Sequence, residues 1–127
     1  MVDSDTGRCV RKLTKKFESD SPYYRTLNRV LLSESEYRLF DQLDGDRLKK
    51  TRHYQHHRGR VFSVDVFEGE LTGLVLCETE ATKLADLMAA EFPDYARHEV
   101  TEDPFFTGGH LCHITRDDLR RKLETYA

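Results

Sequence analysis

Acidic side chains at strand spacing give the first chemical signal in the sequence. Asp65 lies in one run of alternating apolar and polar residues, and Glu78 and Glu80 lie in a second run beyond a turn signal at residues 68–70. Successive side chains of a strand point to opposite faces, so Glu78 and Glu80 share a face. If the two runs pair as a hairpin, the three carboxylates converge. Such hard oxygen donors suit a divalent cation such as Mg²⁺ or Mn²⁺.

Basic side chains repeat the same spacing in two other runs. Lys12 and Lys16 lie in the first run of the chain, and Lys50 and Arg52 lie in a later one. Set opposite the three acids, these cations would give a pocket with a basic wall and an acidic wall, which suits a polyphosphate bound with a divalent metal. The alternative is that each run is a solvated strand face whose ion pairs are worth about a few tenths of a kcal/mol. Each pair taken alone favours that alternative.

The elements that position these residues follow from hydrophobic periodicity. The sequence predicts five antiparallel strands, mostly in meander order, with two or three helices packed outside them, which is an α+β fold. The strands are expected at residues 9–17, 25–32 and 48–54, with two more forming the hairpin within residues 62–80. Helices are expected at 34–43, at 84–92 and after an N-cap at Thr115. Residues 98–101 are expected to be extended, 56–59 a turn and 107–109 a loop.

Length and composition narrow the class of protein. The 127 residues predict a single domain over 1–127. A net charge of −3 gives no general case for a nucleic-acid partner, and no apolar run approaches the roughly 20 residues of a membrane span. The odd, scattered set of three cysteines favours reduced thiols and a cytoplasmic location. His110 and His113 have helical spacing, but no third ligand is evident for a histidine metal site.

Five short motifs in a fixed order resemble the CYTH domain of the triphosphate tunnel metalloenzymes. The resemblance extends from about Arg11 to Leu111. The motifs are Leu13-Thr-Lys-Lys16, Leu48-Lys-Lys-Thr-Arg-His-Tyr54, Val64-Asp-Val-Phe67, Gly73-Leu-Val-Leu-Cys-Glu-Thr-Glu80 and Glu99-Val-Thr101.

The resemblance implies a fold, an activity and a set of roles. Members of the family fold as a closed antiparallel tunnel and act on inorganic triphosphate or other triphosphates with Mg²⁺ or Mn²⁺. By this likeness Lys16, Lys50 and Arg52 would contact substrate phosphates. The acids Asp65, Glu78 and Glu80 would help to hold the metal. Lys12 has no firm counterpart in the family.

One departure from the family changes the expectation for activity. The family's opening strand carries Glu-x-Glu-x-Lys and is followed by an Arg-x-Arg strand, and neither pattern occurs before Arg11. The expected fold is therefore an incomplete tunnel barrel that lacks about two strands, either in a shortened relative or because Met1 is an internal start.

Two function classes follow from this departure. One is a metal-dependent triphosphatase, weakly active or inactive as this chain stands. The other is a non-catalytic polyphosphate-binding, nucleotide-binding or dimerisation module. Uncovered sheet edges predict a homo-oligomer, most simply a dimer.

Overall fold

The computed structural model describes residues 1–127, which divide into two compact units, Met1–Gly45 and Asp46–Ala127. Both units contain antiparallel β-sheet and helix, as the α+β prediction requires. The sheets have two and three strands, and no closed barrel is formed. The incomplete tunnel barrel and the single domain over residues 1–127 stay predictions.

The first unit is a hairpin followed by one helix. Strand β1 (Arg11–Lys16) pairs antiparallel with β2 (Leu27–Leu32), and α1 spans Glu34–Asp41. The helix begins with the predicted capping box, in which Ser33 and Glu36 each accept a hydrogen bond from the other's backbone N–H. These bonds satisfy two of the unpaired donors at a helix start, which explains why the helix begins there. They also lower the pKa of Glu36, with the backbone bond from Ser33 the larger cause.

The second unit carries a three-stranded meander. Strands β3 (Lys50–His57), β4 (Arg60–Phe67) and β5 (Val75–Thr79) are adjacent and antiparallel in that order. The turn between β3 and β4 is shorter than predicted and consists of Arg58 and Gly59, whose φ angles are +49° and +75°. Two successive positive φ angles are typical of the two-residue hairpin turn that matches the twist of the strands. The strand β3 therefore continues through His57 instead of ending at Tyr54.

The connection between β4 and β5 is longer than the predicted three-residue turn. A 3₁₀ turn at Gly69–Leu71 follows β4, and its Leu71 is buried together with Leu74. These two leucines pack with Phe67 and with two residues of the later helices, forming the core of the unit. Burial of apolar surface thus explains why this connection folds back on the sheet.

Three helices complete the second unit: α2 (Leu84–Met88), α3 (Gly108–Leu111) and α4 (Arg116–Glu124). The predicted cap of the last helix is confirmed, because Thr115 and Asp118 form a second capping box. Helix α2 ends at Met88, four residues before the predicted end at Phe92. The longest helix has nine residues, and none has the length and apolar character needed to cross a lipid bilayer.

Two further local predictions for the second unit are wrong. Residues 107–109, expected to be a loop, instead start α3. Glycine disfavours helix by about 1 kcal/mol, but the helix buries Leu111 in the core at 2% exposure, and tertiary packing outweighs local propensity. Residues 98–101, expected to be extended, join no strand. The carbonyl of Val100 instead accepts a turn hydrogen bond from Asp103.

Candidate phosphate-binding site

The register of the meander brings one acid and two cations to a common face of the sheet. Arg52 on β3 lies directly opposite Asp65 on β4, and Lys50 lies opposite Phe67. Residues directly opposite one another on antiparallel strands project from the same face, as do residues two apart on one strand. Lys50, Arg52 and Asp65 therefore share this face. The other face carries Phe62, which is fully buried and packs edge-on against Phe92 at 5.0 Å.

Asp65 is the centre of this arrangement. Its carboxylate is 0% exposed, and both of its oxygens accept hydrogen bonds. Arg52 donates from Nε to Oδ1 at 2.7 Å and from Nη2 to Oδ2 at 2.9 Å. Lys50 donates from Nζ to Oδ2 at 2.7 Å and also lies 5.4 Å from the centre of the Phe67 ring. The paired contact with Arg52 has the planar fork geometry that gives guanidinium–carboxylate pairs their directional strength.

The charges of these residues reinforce one another. Burial by itself would raise the pKa of Asp65, but the hydrogen bonds from Arg52 and Lys50 outweigh it and lower the pKa below its usual range. The same bond raises the pKa of Arg52. The Asp65 carboxylate is therefore ionised at neutral pH, and the formal charges of the trio sum to +1.

Both cations remain accessible although they are paired. The side chains of Lys50 and Arg52 are 34% and 33% exposed, whereas that of Asp65 is completely covered. Lys50 and Arg52 are therefore held by a buried carboxylate while their cationic groups remain in contact with solvent. A ligand that approaches this face meets donors suited to phosphate oxygens.

The two glutamates of the predicted acidic set lie further from Asp65. Glu78 is opposite Ser63 on the same face, and its Oε2 lies 3.7 Å from Nη2 of Arg52. The Glu78 side chain is 55% exposed. Glu80 follows the end of β5 and is exposed. The structure therefore brings Lys50, Arg52, Asp65 and Glu78 together, while Glu80 lies outside the strand register.

The early lysines belong to the other compact unit. Lys16 lies opposite Leu27 in the first hairpin, and Lys12 lies opposite Leu31, with both lysines exposed on one face of β1. Their shared face agrees with the spacing in the sequence. Their predicted role at a phosphate site stays a prediction.

The structure brings together a second set of ligating side chains that the sequence analysis missed. Asp46, Cys112 and His113 place one potential metal-ligand atom each within 4.8 Å of one another. The sequence spacing links His113 only to His110, three residues earlier. The adjacent cysteine was an available signal in the sequence, but the 66-residue separation of Asp46 from Cys112 hid the third member.

Comparison with solved structures gives relatives of the same fold. The crystal structure of the inorganic triphosphatase NE1496 matches with a TM-score of 0.53 and 29% identity over 69% of this chain. A second crystal structure, described as the hypothetical protein NE1496, matches with a TM-score of 0.55 and 27% identity over 70% of this chain. This chain spans 62% of the length of each. No protein-family model and no curated protein matches it.

These neighbours define the class to which the fold and the site point. One of them is described as an inorganic triphosphatase, which is the activity implied by the family that the five sequence motifs resemble, and the resemblance is thereby confirmed. The chain is CYTH-like over the part that matches these neighbours, which is 62% of the length of each.

Proposed function

We propose that this chain is a phosphate-binding domain of the triphosphatase type, whose ligand is inorganic triphosphate or a small organic triphosphate. The observation that carries the proposal is the pair of accessible cations, Lys50 and Arg52, fixed on one sheet face by the buried carboxylate of Asp65. The structural likeness to an inorganic triphosphatase supports the same ligand class. Lys16, on the first hairpin, is also proposed to contact phosphate.

Asp65 has two proposed roles that differ between the free and the bound site. In the free protein it offsets part of the positive charge of Lys50 and Arg52 and orients them, so that their donors point along one face. A bound triphosphate would draw on the same donors, because a phosphate chain offers several anionic oxygens at once. Asp65 would then be partly released to hold a cation.

The acids fit Mg²⁺ or Mn²⁺ on the chemistry of their donors. Mg²⁺ is usually held by one or two carboxylates together with substrate phosphates, and not by a complete cage of protein ligands. Glu78, with its exposed carboxylate beside Arg52, meets this requirement most directly. Glu80 and Asp65 are the further proposed ligands. The bound ion would neutralise phosphate charge.

Hydrolysis by this chain is expected to be weak or absent. The sequence contains no Glu-x-Glu-x-Lys pattern, and metal-assisted hydrolysis depends on a fixed set of ligands. Phosphate binding with little or no turnover is therefore the proposed activity. The second candidate, a dimerisation module, is supported by exposed apolar side chains on the first hairpin, where Val30 is 58% and Leu31 is 67% exposed.

The binding proposal is tested with tripolyphosphate and a matched pair of lysine variants. Lys50→Met removes one charge-assisted hydrogen bond to phosphate, worth about 1.5–3 kcal/mol, which corresponds to a loss of affinity of about 10- to 150-fold by calorimetry. Arg52 still holds Asp65 by two bonds, so this variant keeps the fold. Lys49→Met is the control, because Lys49 is the adjacent lysine, is 86% exposed and pairs with Glu68. Equal affinities for both variants and the wild type would refute the proposed site.

Turnover is measured separately, as phosphate release from tripolyphosphate with Mg²⁺ or Mn²⁺. The expected result is release near background. Clear release by the wild-type chain, abolished in an Asp65→Ala, Glu78→Ala double variant that circular dichroism shows to be folded, would overturn the expectation of weak activity and would assign catalysis to these acids.

A further inference from the structure

We infer that Asp46, Cys112 and His113 form a binding site for Zn²⁺ or a similar borderline-soft divalent cation. The inference is independent of the phosphate-binding proposal, because it uses none of the same residues. Their ligand atoms lie within 4.8 Å of one another, and Nδ1 of His113 is 3.1 Å from Oδ2 of Asp46.

The distances suit tetrahedral zinc. With Zn–N and Zn–O bonds of about 2.0–2.1 Å and a Zn–S bond of about 2.3 Å, tetrahedral ligands lie about 3.3 Å apart for the nitrogen–oxygen pair and about 3.6 Å apart for the sulfur–nitrogen pair. The His113–Asp46 separation of 3.1 Å is already close to the first value. Only small side-chain movements are needed for the three atoms to enclose one ion.

Two core residues hold the ligands in place from separate parts of the chain. Leu111, 2% exposed, belongs to the core cluster and directly precedes Cys112 at the end of α3. Leu48, which packs against the same cluster, lies two residues after Asp46. The backbone at both sides of the cluster is therefore anchored, which lowers the entropic cost of gathering the ligands.

The donor set selects the class of metal. A thiolate and an imidazole are ligands that Zn²⁺ and Co²⁺ accept and that Mg²⁺ and Ca²⁺ do not. On binding, the Cys112 thiol loses its proton to the buffer, together with the hydrogen bond that it donates to the Gly109 carbonyl at 3.3 Å. With neutral His113, one thiolate and one carboxylate then balance the charge of the ion. Water fills the fourth position, as in sites with three protein ligands.

Cobalt provides a direct readout of the thiolate ligand. Tag-free, chelator-treated wild-type chain is titrated with Co²⁺, and we expect a near-ultraviolet thiolate-to-cobalt charge-transfer band that added Zn²⁺ abolishes by competition. Excess Mg²⁺ should leave the band unchanged. A titration without this band would overturn the inference and would leave Asp46 and His113 as a polar contact on the surface.

Variants identify which residues bind the ion. Removal of an outer-shell partner of a metal ligand already costs about 10- to 100-fold in affinity, so losing a ligand itself should cost about 100-fold or more. This result is expected for Cys112→Ser, with loss of the band, and for His113→Gln. Circular dichroism checks that each variant is folded. A band that persists in Cys112→Ser would refute the site, because the sulfur would then come from another cysteine.

Matched controls come from another histidine and another cysteine of the chain. His110→Gln changes a histidine of the same segment whose ring packs 5.0 Å from that of Phe105, and Cys77→Ser changes the half-buried thiol on β5. Both should bind Co²⁺ as the wild type does, and weakening by either would count against the proposed ligands. Lys50→Met should also bind Co²⁺ normally, so that failure of the phosphate proposal leaves this one standing.

Discussion

Replacing Asp65 by Asn tests whether the buried carboxylate holds the three-stranded sheet together. The pKa of Asp65 lies below its usual range because the hydrogen bonds from Arg52 and Lys50 outweigh its burial. The carboxylate is therefore ionised at neutral pH, and the variant removes a full charge. Asn keeps nearly the same volume, so the change leaves no cavity. It also turns an amide N–H₂ toward groups that can only donate hydrogen bonds.

The loss of stability expected for Asp65→Asn depends on how deeply the carboxylate and its two cationic partners are buried. Removing one partner of a buried ion pair costs about 3–5 kcal/mol, because the other charge is left buried without compensation. Here the charges left behind, on Lys50 and Arg52, are about one-third exposed and can turn toward water. The expected loss is therefore at the lower end of that range, about 3 kcal/mol. For a small domain with a urea slope of about 1.5 kcal/mol/M, the midpoint would fall by about 2 M.

Urea unfolding at pH 7, followed by far-ultraviolet circular dichroism, measures this difference. Glu78→Gln is the matched control, because Glu78 lies on the same face and contacts the same arginine, but at 3.7 Å and with its side chain 55% exposed. Exposed pairs contribute about 0.2–1 kcal/mol, so its midpoint should fall by less than half as much. A loss below about 1 kcal/mol for Asp65→Asn, or equal losses for both variants, would refute the reasoning.

Two further predictions concern ionisation elsewhere in the second unit. Hydrogen bonds from Lys122, Tyr126 and the Phe105 backbone lower the pKa of Asp103 to about 2, so its stabilising effect is present above its ordinary pKa near 4 and is lost as the pH falls toward 2. Asp103→Asn should therefore show a smaller drop in urea midpoint between pH 5 and pH 2.5 than the wild type, and an identical drop would contradict this. Burial, with a smaller effect of the Glu78 charge, raises the pKa of the Cys77 thiol. In variants that keep one cysteine each, a disulfide reagent at pH 8 should modify Cys77 more slowly than the exposed Cys9. Equal rates at the two cysteines would contradict this.

The elements of the fold that depend on local signals were predictable from the sequence. Both capping boxes, at Ser33 and Thr115, have their partner three residues later and lie where the helices begin. The five strands also lie in the five runs of the sequence that were predicted to be strands. The helix at Gly108–Leu111 was missed because it is stabilised by the burial of Leu111 in the core, which no local propensity records.

The candidate site shows a different limit of sequence reasoning. The spacing correctly placed Lys50 with Arg52 on one face and Asp65 on the polar side of its strand. It did not give the contact between them, because that depends on register. A two-residue turn at Arg58 and Gly59 pairs residue 57 with residue 60, and therefore 52 with 65. Because loop length fixes the register of a hairpin, a two-residue turn at these positions is sufficient to predict the ion pair.

The Asp65 carboxylate stabilises the fold, but it also competes with phosphate for the donors of Lys50 and Arg52. A phosphate that approaches Lys50 and Arg52 must displace hydrogen bonds of 2.7–2.9 Å from an anion already in place. Asp65→Asn should therefore bind tripolyphosphate more tightly than the wild type when divalent metal is absent, although the folded chain is less stable. Saturating Mg²⁺ should reduce this advantage, because the wild-type carboxylate then has a cation of its own. Weaker binding by Asp65→Asn without metal would show that orienting the two cations outweighs competition for them, and that Asp65 acts chiefly as a positioning residue.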